Sequence, residues 1–172
     1  MPARRCFVSL DLPVEIRDLA IETQDALRAK YPDLRYTKAE NLHLTLKFLG
    51  EIQAEKIEQV GERLLGIKYS RFTVQLAGIG CFTPHVVWLA LQGADELQHV
   101  VDAALEPLFT SERRFMGHLT IARVKAIPPP LRHDLETLET PTLSCEVTSF
   151  SLQESHLNPS GPLYQTIARY EL

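Results

Sequence analysis

Apolar and polar positions change period several times along the chain, and each change marks an element. Residues 5–10 (RCFVSL) are a short β-prone run and predict a strand. Asp11 and Pro13 then signal a helix start. Ile16, Leu19, Ala20, Thr23, Ala26 and Leu27 recur at helical spacing, predicting a helix from Val14 to about Tyr31. Residues 31–41 are polar and read as a loop, and HLTLKFLG follows as a strand closed by Gly50. Ile57, Val60, Leu64 and Ile67 stripe a helix over 54–67. Strands are expected at 71–77 and 85–91, and a helix at 95–109. A basic loop, SERRFMG, leads into the strand HLTIARV. The PPP run at 128–130 breaks the chain. Residues 131–139 predict a short helix, and two late strands, 144–156 and 163–171, are joined by the turn-rich LNPSGP.

The order of elements repeats. Strand, helix and a strand bearing HLTL in the first half are echoed by strand, helix and a strand bearing HLTI in the second. The two motif histidines, His43 and His118, lie close to half the chain apart. This reads as an internal duplication within one bilobal domain over residues 1–172. The fold expected is α+β, with two pseudo-twofold-related lobes, each an antiparallel sheet with flanking helices, around a central cleft. For one small ligand to bridge the motifs, the histidines must lie within about 12 Å.

Side chains on a strand alternate faces. His43 and Thr45 therefore point one way, and Leu44 and Leu46 the other. Lys47 shares the parity of His43, while Phe48 falls on the apolar side. His118 and Thr120 repeat the arrangement, backed by Leu119 and Ile121. One His-x-Thr is a common polar face of an exposed sheet. Two copies of His-Leu-Thr among six histidines are not, since the triplet follows a given histidine well under about one time in a hundred.

A pair of imidazoles suits proton transfer near neutral pH, one ring neutral and its partner protonated. That is what in-line attack on phosphorus needs: a base for the attacking water and an acid for the departing oxygen. The two hydroxyls can donate to nonbridging oxygens, where charge accumulates. Two histidines and two threonines could also surround a metal. Metal sites usually add carboxylate or thiolate, however, and neither lies in the motifs.

Composition narrows this picture. The net charge of −4 argues against a broad nucleic-acid-coating surface, although Arg113, Arg114 and Lys125 make the second motif's surroundings basic. Cys6, Cys81 and Cys145 are odd in number and without a CxxC pair, which suggests small hydrophobes rather than a zinc ribbon or disulfides. The N-terminal apolar run is too short for a signal segment, and no stretch approaches a membrane span. A reducing, cytoplasmic setting without membrane contact is expected.

At NLHLTLKFLGE and GHLTIAR the sequence resembles the two-histidine (2H) phosphoesterase superfamily. Within it, the chain is most similar to the RNA 2′,3′-cyclic phosphodiesterases, also called 2′-5′ RNA ligases. The opening RRCFVSLDLP and the ending SFSLQESHLNPSGPLYQTIARYEL match that family too, so the resemblance spans essentially the whole chain. It implies hydrolysis of a terminal 2′,3′-cyclic phosphate to a 2′-phosphomonoester, without metal or cofactor. It implies, in some members, reversible ATP-independent 2′-5′ joining; RNA ends, tRNA fragments among them, are the partners expected, and the chain is expected to be a monomer.

The resemblance also implies His43 as proton donor and His118 as proton acceptor, an assignment the near-symmetric motifs leave open. It places Arg123 on phosphate, although simple alternation puts Arg123 opposite His118 unless the strand ends or bulges first, or the side chain reaches round. Lys47 is a candidate for substrate binding, its other reading being a solvated rim charge. Tyr164, in the family's GPxY ending, could stack on a base or pack in the core. Trp88 reads as core. His85, His99 and His133 read as structural or solvated, and His156 sits by the hairpin loop. A cyclic phosphodiesterase for small nucleotides and a non-catalytic RNA-end binder are the alternatives.

Overall fold

The computed structural model describes residues 1–82 and 84–172. Its strands are β1 (Arg4–Leu10), β2 (Arg35–Tyr36), β3 (Leu44–Ile52), β4 (Phe72–Phe82), β5 (Val86–Gln92), β6 (His118–Arg123), β7 (Ser144–Val147), β8 (Ser149–Asn158) and β9 (Gly161–Glu171). Its helices are α1 (Val14–Lys30), α2 (Ala54–Leu65), α3 (Asp95–Leu105) and α4 (Pro129–Thr137), with a 3-10 turn at Ala39–Asn41. The proline run starts α4 rather than merely breaking the chain, since proline's fixed φ and missing N–H suit a first helical turn.

These strands form one antiparallel sheet in the order β7-β4-β5-β6-β3-β1-β8-β9, with β2 alongside β6. The sheet divides into β7-β4-β5-β6 and β3-β1-β8-β9, joined where β6 meets β3 through the single pair Leu44–Leu119. The expected strand over 144–156 is two strands. Val147 ends β7 at one edge of the sheet, and Ser149 begins β8 in the other half. Only Thr148 separates them, so the sheet must curl until its distant parts meet.

The apolar faces of both halves pack under the helices. In α1 the buried stripe is Ile16, Ala20, Gln24 and Leu27. The helices pack crosswise: α1 lies against β6, and α3 against β3. Each half thus supports the other half's motif strand.

Both motif strands carry a β-bulge at the same place. Val8 pairs with Lys47 and Ser9 with Thr45, so Leu46 is an extra residue in β3. Val87 pairs with Ala122 and Trp88 with Thr120, so Ile121 is the extra residue in β6. Each insertion reverses the alternation beyond it. Lys47 consequently turns toward α3, where it is 2% exposed and ion-paired with Asp102. Its ammonium also donates to the Thr110 carbonyl at 2.9 Å, and Asp102 accepts the Glu112 backbone N–H at 2.8 Å. At the other bulge, the buried Gln24 amide donates to the carbonyls of Ile121 and Thr37, each at 2.8 Å.

Removing one partner from a buried ion pair strands the other charge. Asp102→Ala should therefore lower unfolding stability by about 3–5 kcal/mol in urea titrations, while the apolar pair Lys47→Met with Asp102→Leu should recover most of that loss. Equal destabilisation of the single and double variants would contradict this account of the bulge.

Candidate active site

Leu44 and Leu119 are directly paired in an antiparallel ladder. The residues beside them then face one another crosswise: His43 stands opposite Thr120, and Thr45 opposite His118. All four point to the face opposite the buried leucines. The histidines occupy one diagonal and the threonines the other. Such diagonal Cα atoms lie about 7–8 Å apart on a regular ladder, well within the reach of one phosphate group and its substituents.

Both rings are anchored alike. His43 Nδ1 bonds the Asn41 carbonyl at 2.7 Å, and His118 Nδ1 bonds the Met116 carbonyl at 2.8 Å. A carbonyl only accepts, so in these bonds each Nδ1 carries the proton and each Nε2 is left without a protein partner among the described residues. Asn41 is itself fixed, its side-chain amide donating to the Pro162 carbonyl of β9 at 2.8 Å.

Aromatic rings wall each imidazole. Phe7 and Tyr164 lie with centroids 4.9 and 5.0 Å from His43, Tyr164 edge-on at 85°. Phe82 meets His118 edge-on at 5.2 Å. Enclosure by these rings removes water from His43, and this burial pushes its pKa below the usual histidine value. The Asn41 carbonyl opposes the shift, while the nearby His118 ring and the Arg123 guanidinium add to it. His43 therefore lies within electrostatic reach of His118 and of Arg123.

Arg123 reaches this face because Ile121 is inserted before it, so of the open alternatives the bulge is the one the backbone adopts. The matching insertion in β3 corrects two expectations. Lys47 is not a cleft residue; it is the buried partner of Asp102. Phe48, expected on the apolar side, takes the place equivalent to Arg123 and is 64% exposed beside Phe7. Trp88 is not wholly core. It is cross-strand from Thr120, half-buried, with its ring lying across Gly80, where a Cβ would come within 2.6 Å of it. Tyr164 lies in the cleft against His43, and burial raises its phenol pKa while Arg123 and Arg5 oppose the rise.

The remaining histidines lie elsewhere. His85, His99 and His133 are exposed, and His156 is directed away from Tyr164, 3.4 Å from Glu154. Among the cysteines, Cys6 is buried while Cys81 and Cys145 are half-buried, and all three are free thiols. Phe7, Phe82, Asn41 and Gln24 were not singled out from sequence. Gln24 alone had a visible signal, a polar residue four positions after Ala20 on an apolar helix stripe. A cavity of about 410 Å³ opens beside His43 on the side away from His118, lined by Gln153 and Thr166 and by charges of both signs, Asp11, Glu40 and Glu146 with Arg17 and Arg169.

A family model described as LigT-like phosphoesterase matches residues 10–88. A Thermotoga maritima protein named RNA 2′,3′-cyclic phosphodiesterase is 31% identical over 175 residues, spanning 95% of this chain and 92% of that one. The chain belongs to the LigT-like phosphoesterases of the 2H superfamily. The crystal structure of Escherichia coli LigT in apo form is similar at a TM-score of 0.80 and 30% identity, over 99% of this chain and 98% of that one. LigT complexed with 3′-AMP matches at a TM-score of 0.77 and 32% identity, with the same coverage. The family's curled antiparallel half-barrel with four helices is the fold described above.

The electrostatics make a prediction with a fixed sign. A lowered pKa means that the His43 ring titrates, by NMR of its ring protons, below the ordinary midpoint of ~6.5. Arg123→Gln removes a positive charge that opposes protonation, so the midpoint should rise. An unmoved midpoint would place the guanidinium out of reach of the ring.

Proposed function

We propose that this protein hydrolyses RNA 2′,3′-cyclic phosphate ends to 2′-phosphomonoesters by acid–base catalysis between His43 and His118. The carrying observation is the crossed quartet, with two imidazoles anchored through Nδ1 on one diagonal and two hydroxyls on the other. His118 takes a proton as water oxygen bonds to phosphorus. The P–O3′ bond breaks, and His43 gives its proton to O3′. Thr45 and Thr120 donate to the nonbridging oxygens, and Arg123 offsets their charge through its guanidinium. Free His43 is held toward its neutral form by burial. The negative substrate phosphate works the other way and supplies the reason for the ring to carry a proton in the complex.

Names of full-length relatives support this reading, as does the binding of 3′-AMP, a ribose phosphate, by E. coli LigT. Phe48 and Tyr164 stand beside the cleft where a terminal base would lie. Were a 5′-hydroxyl to replace water, the same proton transfers would form a 2′-5′ linkage. Among the described residues no three His, Cys, Asp or Glu side chains converge as a metal site, and no helix is long and apolar enough to cross a membrane. We place the protein in the cytoplasm as a monomer, acting on RNA ends such as tRNA fragments.

An oligonucleotide ending in a 2′,3′-cyclic phosphate, incubated in EDTA, should yield a 2′-phosphate and a free 3′-hydroxyl. His43→Ala and His118→Ala should each reduce the rate by about 10²–10⁴-fold. A 3′-phosphate product, or turnover only after divalent metal is added, would sink the mechanism. Tight binding without turnover would favour an end-capturing module.

A further inference from the structure

Arg35 and Arg123 are directly paired across β2 and β6. Directly paired residues share a face, so Arg35 stands on the face that carries His118, Thr120 and, beyond the bulge, Arg123. Both arginines are exposed, and neither has an ion-pair partner among the described residues. Asp33, two residues upstream of Arg35, is exposed and makes no ion pair with it. The residue flanking Arg123 on its other side, Val86, is apolar. Like charges placed opposite each other on a sheet are destabilising unless something negative lies between them.

The placement is also enforced. Strand β2 has only two residues, yet it is pinned to β6. The Thr37 amide donates to the Ile121 carbonyl at 2.9 Å, and the Thr37 hydroxyl to the Thr120 carbonyl at 2.7 Å. Gln24 ties Thr37 and Ile121 together from below. A short, otherwise marginal strand is thus held rigidly in the position that sets one guanidinium against another. Arg35 lies two ladder positions from the level of Thr120, about 6–7 Å along the strand, a displacement comparable to one nucleotide repeat. On the far side of His43 the cavity walls carry mixed charge, Arg17 and Arg169 among Asp11, Glu40 and Glu146, with Arg169 ion-paired to Asp11, so that side offers no comparable pair of cations free of carboxylates.

We infer that Arg35 forms a second phosphate subsite, gripping the phosphodiester that precedes the terminal nucleotide. The strand then leaves the cleft across β6 and β2, and the substrate is an RNA chain rather than a free nucleotide. This rests on the cyclic-phosphodiesterase reading above. A guanidinium fits the role because its planar fork can hold two phosphate oxygens at once.

The test compares kcat/KM for two dinucleotides ending in a 2′,3′-cyclic phosphate, one with an ordinary phosphodiester linkage and one with an uncharged methylphosphonate. The wild-type protein should prefer the charged linkage by about tenfold, the scale of one charge-assisted hydrogen-bonded contact. Arg35→Ala should erase that preference, and Arg35→Lys should restore part of it. Absence of a preference in the wild type, or its full retention in Arg35→Ala, overturns the inference while leaving the terminal reaction intact. Failure of the wild type to turn over either dinucleotide, or a mononucleoside cyclic phosphate, overturns the underlying reading as well.

Discussion

The meeting of Leu44 with Leu119 is the contact on which the candidate site depends. It is one rung of a sheet, and yet it fixes the relative position of two motifs from distant parts of the chain. Antiparallel geometry then dictates which side chains oppose which. No long loop needs to carry a reactive group, because all four motif residues lie on or beside strands whose reverse faces are buried leucines and isoleucine. Such placement limits the motion of each ring more strongly than a loop could.

The paired insertions at Leu46 and Ile121 add the next layer. Each shifts the residues after it by one face, so two similarly bulged strands present different chemistry in the two halves. The positions brought into the cleft are Phe48 in one half and Arg123 in the other. Those turned into the core are Lys47 and Ala122. An apolar ring and a cation thus occupy equivalent places around a nearly symmetric quartet. The buried Lys47–Asp102 pair belongs to the scaffold, since its charges satisfy each other and the loop after α3.

Much of this was legible from residue order. The order of strands and helices, the faces of both HLT motifs and the helix faces follow from periodicity, because burial enforces period 2 or 3.6 wherever an element packs. Lys47, Phe48 and the break at Thr148 were not legible. A bulge has no strong residue signature, so strict alternation placed Lys47 in the cleft and Phe48 under it. The 144–156 segment has continuous strand character, and only the curl of the whole sheet divides it at Thr148. Arg123 lay between these cases: its chemistry fitted phosphate, while the parity conflict itself pointed to the irregular backbone that resolves it.

The one-residue passage at Thr148 has a mechanical consequence. A β-sheet joined at its centre by one rung would flex there like a book along its spine. Here the covers are stitched together as well: the chain steps from β7 to β8 through Thr148, and the Leu172 amide donates to the Thr148 carbonyl. Swinging the halves apart would pull on that stitch before it widened the mouth between the imidazoles. The two motif strands are thus tied together both at the centre of the sheet and around its far edges.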